Sequence, residues 1–329
     1  MAEKIFIIGG GPGGYVTALK AAQAGMDVTI AEKAAFGGTC LNRGCIPTKS
    51  LLHVTSFLTQ NYSRMGISFD KMTYDLDKFR KWKDSSVRKA VLGVEMLLKK
   101  NGIKILREKA HVVSSGKVET ETGVHKADRI VIASGSNVII PGFIKDRDDV
   151  WTSDNALELS EIPTRLLIIG AGVIGVEIAT IYSRLGSEVH LFDMLEKPGG
   201  ADLDPEIAIE LEKSLKAMRI KLHLGKTIKE IKGNTIIVEG EEISGDRIMA
   251  AIGRCADIEG KHSEIEINTN TKKIRTNKDS ETTLSRVYAI GDVIDGPMLA
   301  HKASHDGMRL IDLLNGRAVS SGEMTSVLY

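Results

Sequence analysis

The sequence predicts an α/β protein carrying two dinucleotide-binding units. Three observations lead there: a glycine-rich turn between a strand pattern and a helix pattern, a second copy of that succession, and a carboxylate at the matching place in each. The first copy runs from a strand-forming stretch at Lys4 into Gly9-Gly-Gly11-Pro12-Gly-Gly14, then a helical pattern over residues 15–24 and an apolar strand over 27–32. That order is a βαβ unit. The second copy starts at Arg165, passes through Gly170-Ala-Gly172-Val173-Ile174-Gly175, and continues as a helix over 176–185 and a strand over 188–193. Gly9, Gly11, Gly14 and Glu32 fall on Gly170, Gly172, Gly175 and Asp193 at a constant offset of 161 residues. One such glycine pattern alone would mark only a tight turn; two in register, each with its acid, carry the reading.

Each part has a physical reason. The first glycine makes the tight turn, the second lets the backbone approach a pyrophosphate, and the third lets helix and strand pack closely. The phosphates then lie at the positive end of a helix. Glu32 and Asp193, at the ends of the second strands, are expected to accept hydrogen bonds from ribose hydroxyls, the alternative being ordinary strand-end surface carboxylates. A carboxylate there repels a 2′-phosphate by about 4 kcal/mol per charge pair at contact distance and a surface dielectric. No arginine cluster follows Asp193 in Met194-Leu-Glu-Lys to offset this. NAD is therefore expected rather than NADP.

The bulk numbers agree. At 329 residues, two domains are the starting expectation. With 42% hydrophobic and 26% charged residues the composition is that of a globular protein, and a formal charge of +1 offers no attraction to nucleic acid. The apolar stretch 165–182 is broken by three glycines and a glutamate, and the N-terminus runs straight into a strand, so neither a membrane span nor a signal peptide is expected. Only three cysteines occur, two of them close together, which suits a reducing compartment; the cytoplasm is the expected location.

Between and after the repeats, residues 77–100 read as a long amphipathic helix ending at Asn101-Gly102, and 103–128 as short strands separated by turns. Residues 129–136 form a buried strand reaching the turn at Gly135, and 287–292 another that delivers Asp292 just past Gly291. A carboxylate there would suit a sugar-like chain, although a Gly-Asp pair alone is usually a turn. Residues 153–163 resemble a linker into the second unit.

The cysteine pair lies in Gly37-Gly38-Thr39-Cys40-Leu-Asn-Arg-Gly-Cys45-Ile-Pro47-Thr-Lys49, with Pro47 expected in the first turn of a helix over 48–60. Cys45 then sits at a helix N-terminus, where the dipole and free amides favour thiolate over thiol, as a redox cysteine requires. A structural disulfide is one alternative, but closing so short a loop stabilises by only about 2 kcal/mol. A zinc site is another, yet four residues intervene rather than two, and neither Cys255 nor His53 completes a ligand set; no metal is expected. Cys255 in Gly253-Arg254-Cys255 is read as incidental.

With these residues assembled, the chain resembles the flavin-dependent pyridine nucleotide-disulfide oxidoreductases, and within them the dihydrolipoamide dehydrogenase branch. The likeness covers the whole chain, most specifically the cysteine segment, Gly172-Val-Ile-Gly-Val-Glu177, Ile252-Gly-Arg254, Ala289-Ile-Gly-Asp292 and Gly296-Pro-Met298-Leu299-Ala300-His301-Lys302. It implies two Rossmann-like FAD/NAD(P)-binding domains of the three-layer ββα type. The expected FAD domain is discontinuous, residues 1–150 and 273–322, with an NAD domain over 151–272 and the start of an interface domain at 323–329. It also implies roles: Cys40 as the interchange thiol, Cys45 as the thiolate against the flavin, Lys49 and Glu177 as an ion pair near the flavin N5, and Asp292 on the ribityl chain. Cofactor contacts are further implied for Lys33, Gly38, Thr39, Ala110, His111, Ala133, Ser134, Gly135, Gly253, Arg254, Gly291 and residues 298–301, beside the two glycine turns.

The reaction implied is oxidation of dihydrolipoamide, or another small dithiol, through the Cys40–Cys45 disulfide and FAD to NAD⁺. Lipoyl domains of 2-oxo acid dehydrogenase complexes are implied partners, and a homodimer is implied for the full-length family. On the family's pattern a C-terminal interface domain with a His-Glu acid/base dyad would follow; a truncated piece of a longer enzyme, with weak dithiol turnover, is the expectation. His301 and His305 are expected to be surface or packing histidines rather than that base. Other readings are a different FAD-dependent disulfide or metal-ion reductase using NADH, a diaphorase-like form, and a nucleotide-binding module with a structural flavin.

Overall fold

The computed structural model describes residues 2–60, 62–68, 70, 72–144 and 147–317. In chain order its first half holds β1 (Lys4–Ile8), α1 (Pro12–Gln23), β2 (Asp27–Ala31), α2 (Gly38–Arg43), α3 (Cys45–Ser56), α4 (Leu76–Lys100), β3 (Lys104–Leu106), β4 (Ala110–Ser114), β5 (Lys117–Thr120), β6 (Gly123–Lys126), β7 (Arg129–Ile132), β8 (Ser136–Val138) and α5 (Ser153–Glu158). The second holds β9 (Arg165–Ile169), α6 (Val173–Arg184), β10 (Glu188–Phe192), α7 (Pro205–Ala217), β11 (Lys221–His223), β12 (Ile228–Lys232), β13 (Thr235–Val238), β14 (Glu241–Ser244), β15 (Arg247–Ala250), β16 (Arg254–Ala256), β17 (Val287–Ala289) and α8 (Ala300–Leu314). Contacts divide the chain into two compact units, residues 1–42, 87–137 and 254–329 in one and residues 43–86 and 138–253 in the other.

The first unit is built on a parallel sheet in the order β17-β7-β1-β2-β3. Its strands are runs such as Ile5-Phe-Ile-Ile8, buried on both faces, which is why they read as continuous apolar stretches rather than alternating ones. The two faces bury different partners. Phe6, Ile8 and Ala31 pack with Val112 and Val118 of the antiparallel meander β4-β5-β6. Ile7 points the other way, toward Gly14 at the start of α1, and α1 packs in turn on α8. The helices touch at backbone level, because a Cβ on Gly307 would lie 2.0 Å from Thr17 Oγ1.

The second unit repeats the plan. Its parallel sheet runs β11-β10-β9-β15, with β12-β13-β14 as its antiparallel meander. Leu166 and Ile168 of β9 join the core that includes α5 and α6, while Leu167 and Ile169 join Ile236 and Val238 of the meander. Strand alternation of period two thus separates two cores across one sheet. The α/β class read from the sequence is the class observed, with parallel sheets at its centre.

Two local expectations are corrected. The helix carrying Cys45 begins at Cys45 itself and ends at Ser56, not at 48 and 60; Pro47 is accommodated at its third position, where no intrahelical acceptor exists for a backbone N–H. Cys40 lies on a separate short helix, α2. The supposed linker 153–163 contains α5, which Thr152 and Asn155 cap: Asn155 Oδ1 accepts the Thr152 N–H at 2.9 Å. The expected start of an interface domain at 323–329 lies outside the described residues. Among those residues no helix is long and apolar enough to cross a membrane.

Candidate functional site

The two glycine turns superimpose in their details. Gly9 and Gly170 take φ of 104° and 105°, and a Cβ on either would lie 2.3 Å from a carbonyl oxygen, of Ala133 and Ala251 respectively. A Cβ on Gly14 would lie 1.8 Å from the Gly9 carbonyl oxygen, and one on Gly175 1.9 Å from that of Gly170. Only glycine permits helix and strand to approach this closely. Gly11 and Gly172 are the N-caps of α1 and α6, and neither helix has a side chain bonded to its cap. Pro12 sits at the first position of α1, and Val173 occupies the same place on α6, followed by Ile174.

Uncapped first turns with open glycines leave backbone donors and a positive dipole end for a phosphate, so these residues fit a dinucleotide pyrophosphate. The acids have matching partners too. Glu32 accepts from Gly10 N–H at 2.7 Å and Ala34 N–H at 2.8 Å; Asp193 accepts from Ala171 N–H at 2.6 Å and Leu195 N–H at 2.8 Å. Each carboxylate is thereby fixed beside its glycine turn.

Cys40 and Cys45 are joined as a disulfide, and Cys255 is free and exposed. The turn before Cys40 is held by its own chain. Gly37 and Gly38 take left-handed φ of 94° and 55°, and Asn42 Nδ2 donates to the carbonyls of Phe36 at 3.0 Å and Gly38 at 2.9 Å. Cys45 is the first residue of α3, with Gly44 as N-cap. A sulfur at that end of a helix is stabilised as thiolate.

Further along α3, Lys49 pairs with Glu177 of α6. Glu177 is only 7% exposed, and its burial pushes the carboxyl above the ordinary range while the Lys49 ammonium opposes the rise. The α6 turn that offers Gly172 and Gly175 therefore also delivers the carboxylate that orients Lys49.

A polar network in the first unit gathers residues far apart in sequence. Asp292 accepts from Ser136 Oγ at 2.5 Å; Arg254 Nε donates to that same Ser136 Oγ at 2.8 Å, and its terminal nitrogen reaches Thr39 Oγ1 at 3.2 Å. Ser134 Oγ donates to the Asp257 carbonyl at 2.6 Å, and Lys33 pairs with the Asp257 carboxylate at 3.0 Å. Ala133 and Gly135 lie at the end of β7, Gly135 with φ of 82°. Ala110 and His111 open β4, where Gly260 packs against the His111 ring. Leu299 is the N-cap of α8 and Ala300 and His301 its first residues, with Met298 just before. In the second unit Gly253, at φ of 123°, accepts from Ile139 N–H at 3.0 Å.

Sequence reasoning gave no site role to Asn42, Ser136, Asp257, Lys302 or Asp306. Ser136 follows the Ala133-Ser-Gly135 turn directly and Asp257 lies three residues past Arg254, so proximity was the one signal available for these two. No group of three or more His, Cys, Asp or Glu side chains able to hold a metal occurs among the described residues.

Comparison with known proteins matches this geometry. The family model described as pyridine nucleotide-disulphide oxidoreductase matches residues 3–307. A mitochondrial dihydrolipoyl dehydrogenase of Arabidopsis thaliana is 38% identical over 95% of this chain, which spans 66% of that relative. A dihydrolipoyl dehydrogenase of Manduca sexta is 36% identical over 99% of the chain and 70% of its own length. Among solved structures, an HOCl-induced flavoprotein disulfide reductase of Escherichia coli, RclA, superimposes with a TM-score of 0.83 at 25% identity, covering 97% of this chain and 72% of that one.

Proposed function

Because the chain belongs to the pyridine nucleotide-disulphide oxidoreductase family, we propose that it works as a dihydrolipoyl dehydrogenase-like flavoprotein using FAD and NAD. The observation that carries this reading is the Cys40–Cys45 disulfide with Cys45 opening a helix, in a chain that also holds two matched glycine turns. The first turn, with Glu32, is assigned to the adenosine diphosphate part of FAD, and the second, with Asp193, to NAD. Asp292 is assigned to the ribityl chain, with Thr39, Ala133, Gly135 and residues 298–301 around the same cofactor. FAD, when bound, supplies an electron-pair acceptor for the reduced cysteines and a hydride donor to NAD⁺.

The chain's own residues do the sulfur chemistry. One thiolate of a substrate dithiol attacks Cys40 Sγ, breaking the Cys40–Cys45 bond and releasing Cys45 as thiolate; the second substrate thiolate then attacks the mixed disulfide and frees Cys40. The substrate leaves as a disulfide, the cysteines hold its electron pair, and two protons are released. Cys45 suits the leaving role because the helix end lowers the cost of its negative charge. Lys49, oriented by Glu177, supplies a fixed positive charge to the redox centre. Dihydrolipoamide, free or on a lipoyl domain, is the proposed substrate from the names of the relatives, and a homodimer is the proposed assembly from the family resemblance alone. A reducing compartment such as the cytoplasm suits the exposed free Cys255.

Thiol labelling tests the reading. With FAD bound, NADH is expected to make both Cys40 and Cys45 available for alkylation, at least about tenfold faster than NADPH given the repulsion at Asp193. Labelling by NADH alone without FAD, or no labelling with both present, would count against it.

A further inference from the structure

The Gly291 peptide that precedes Asp292 is gripped on both sides by an ion pair of a buried lysine and a half-buried aspartate that the proposed chemistry does not use. Gly291 N–H donates to Asp306 Oδ2 at 3.0 Å, and its carbonyl accepts from Lys302 Nζ at 3.1 Å. Lys302 and Asp306 pair with each other at 2.8 Å, one turn apart on α8, with Lys302 only 8% exposed. Lys302 also donates to the Asp295 carbonyl at 3.3 Å, so it spans the turn on either side of Asp292. The turn needs such a hold: Gly291 takes a left-handed φ of 74°, and a Cβ there would meet the Ala303 Cβ at 3.1 Å. A buried lysine has no cheap way to stand alone, so its three acceptors fix both the ammonium and the turn.

We propose that Lys302 and Asp306 are positioning residues that set the Asp292 carboxylate for the flavin half of FAD. Asp292 is the next residue after the gripped peptide, and Ser136 Oγ donates to its Oδ2 at 2.5 Å and directs the group. The inference rests on the reading that Asp292 holds the ribityl chain. It separates two jobs within one site: the glycine turn at 9–14 would bind the adenosine diphosphate half, and the α8 pair would govern the flavin half.

The test compares two ligands on apoprotein. FAD affinity is read from flavin fluorescence, and ADP affinity from its competition with FAD, which confines the readout to the first glycine turn. Asp306→Ala and Lys302→Met are expected to weaken FAD about tenfold while ADP changes less than about twofold, and Asp306→Asn, which keeps an acceptor for Gly291 N–H, to fall between. Equal losses for FAD and ADP in every variant would mean a merely structural role and overturn the proposal, as would unchanged FAD binding. If Asp306→Ala does not fold, the ratio of FAD to ADP affinity in Asp306→Asn decides, and it must drop. A wild-type chain that binds no FAD defeats the flavin reading and this inference together; a wild-type chain that binds FAD, with variants that match it, defeats this inference alone.

Discussion

Glu177 shows how much a single buried carboxyl asks of its partner. Burial lifts its pKa above the usual value, so the fold favours the protonated form, and Lys49 works against that lift. Lys49→Met is expected to cost about 1–3 kcal/mol at pH 7, because a buried carboxylate is left without its counter-charge. The sign follows from the raised pKa: the penalty is full while Glu177 is ionised and shrinks as pH falls through its elevated range, since the neutral acid needs no ammonium. Urea unfolding of wild type and variant at pH 7 and pH 5 checks this, and a gap that widened on acidification would contradict it. Residues of this kind were legible where a motif named both partners, as with Lys49 and Glu177. Ser136 and Asp292 stand 156 positions apart and Lys33 and Asp257 224 apart, so nothing local announces either pairing.

Each glycine turn is assigned its own ligand in the proposed function, so the repeat makes separable predictions. Gly14→Ala would drive a methyl group into the Gly9 carbonyl and is expected to abolish flavin retention while the second turn still binds NADH; Gly175→Ala should do the reverse. Cofactor content and NADH fluorescence report the two effects, and loss of both ligands from either variant would contradict the assignment. Strands β10 and β11 carry a second element-level property. His190 Nδ1 lies 3.0 Å from His223 Nε2, and His190 Nε2 lies 3.0 Å from a Glu188 carboxylate oxygen. Burial holds both imidazoles below their ordinary pKa, and Glu188 is itself lowered to about 2, chiefly by Lys221 and then His190. Depressed imidazoles stabilise the fold fully above about pH 6.5, and that stability is lost as pH falls toward their folded values. His223→Leu should therefore flatten the decline in thermal midpoint between pH 7 and pH 5.

The βαβ elements were legible because their period changes from strand to helix across a glycine turn. Helix α5 was not: it has six residues, Asn155 rather than Glu closes its capping box, and Leu159 ends it at φ of 56°, where glycine would normally signal the stop. The early start of α3 was hidden by Pro47, which marks a first turn without saying which of its positions it fills.

At the scale of the molecule, the chain repeats one architecture: a parallel sheet with helices on one face and a three-stranded meander on the other, in each of two units. It spans 66–72% of the length of several dihydrolipoyl dehydrogenases it resembles. Ligands that bind only the folded chain should raise its stability by mass action, about 2.7 kcal/mol at a hundredfold excess over Kd. FAD is expected to raise the thermal midpoint, and Gly14→Ala to remove that response. The central claim, that the Cys40–Cys45 sulfurs and a flavin share one electron pair, is tested most directly by the visible spectrum of the FAD-loaded chain after anaerobic addition of two electrons. A long-wavelength charge-transfer band that disappears in Cys45→Ser is the predicted result; plain bleaching of the flavin, the same in wild type and variant, would contradict it.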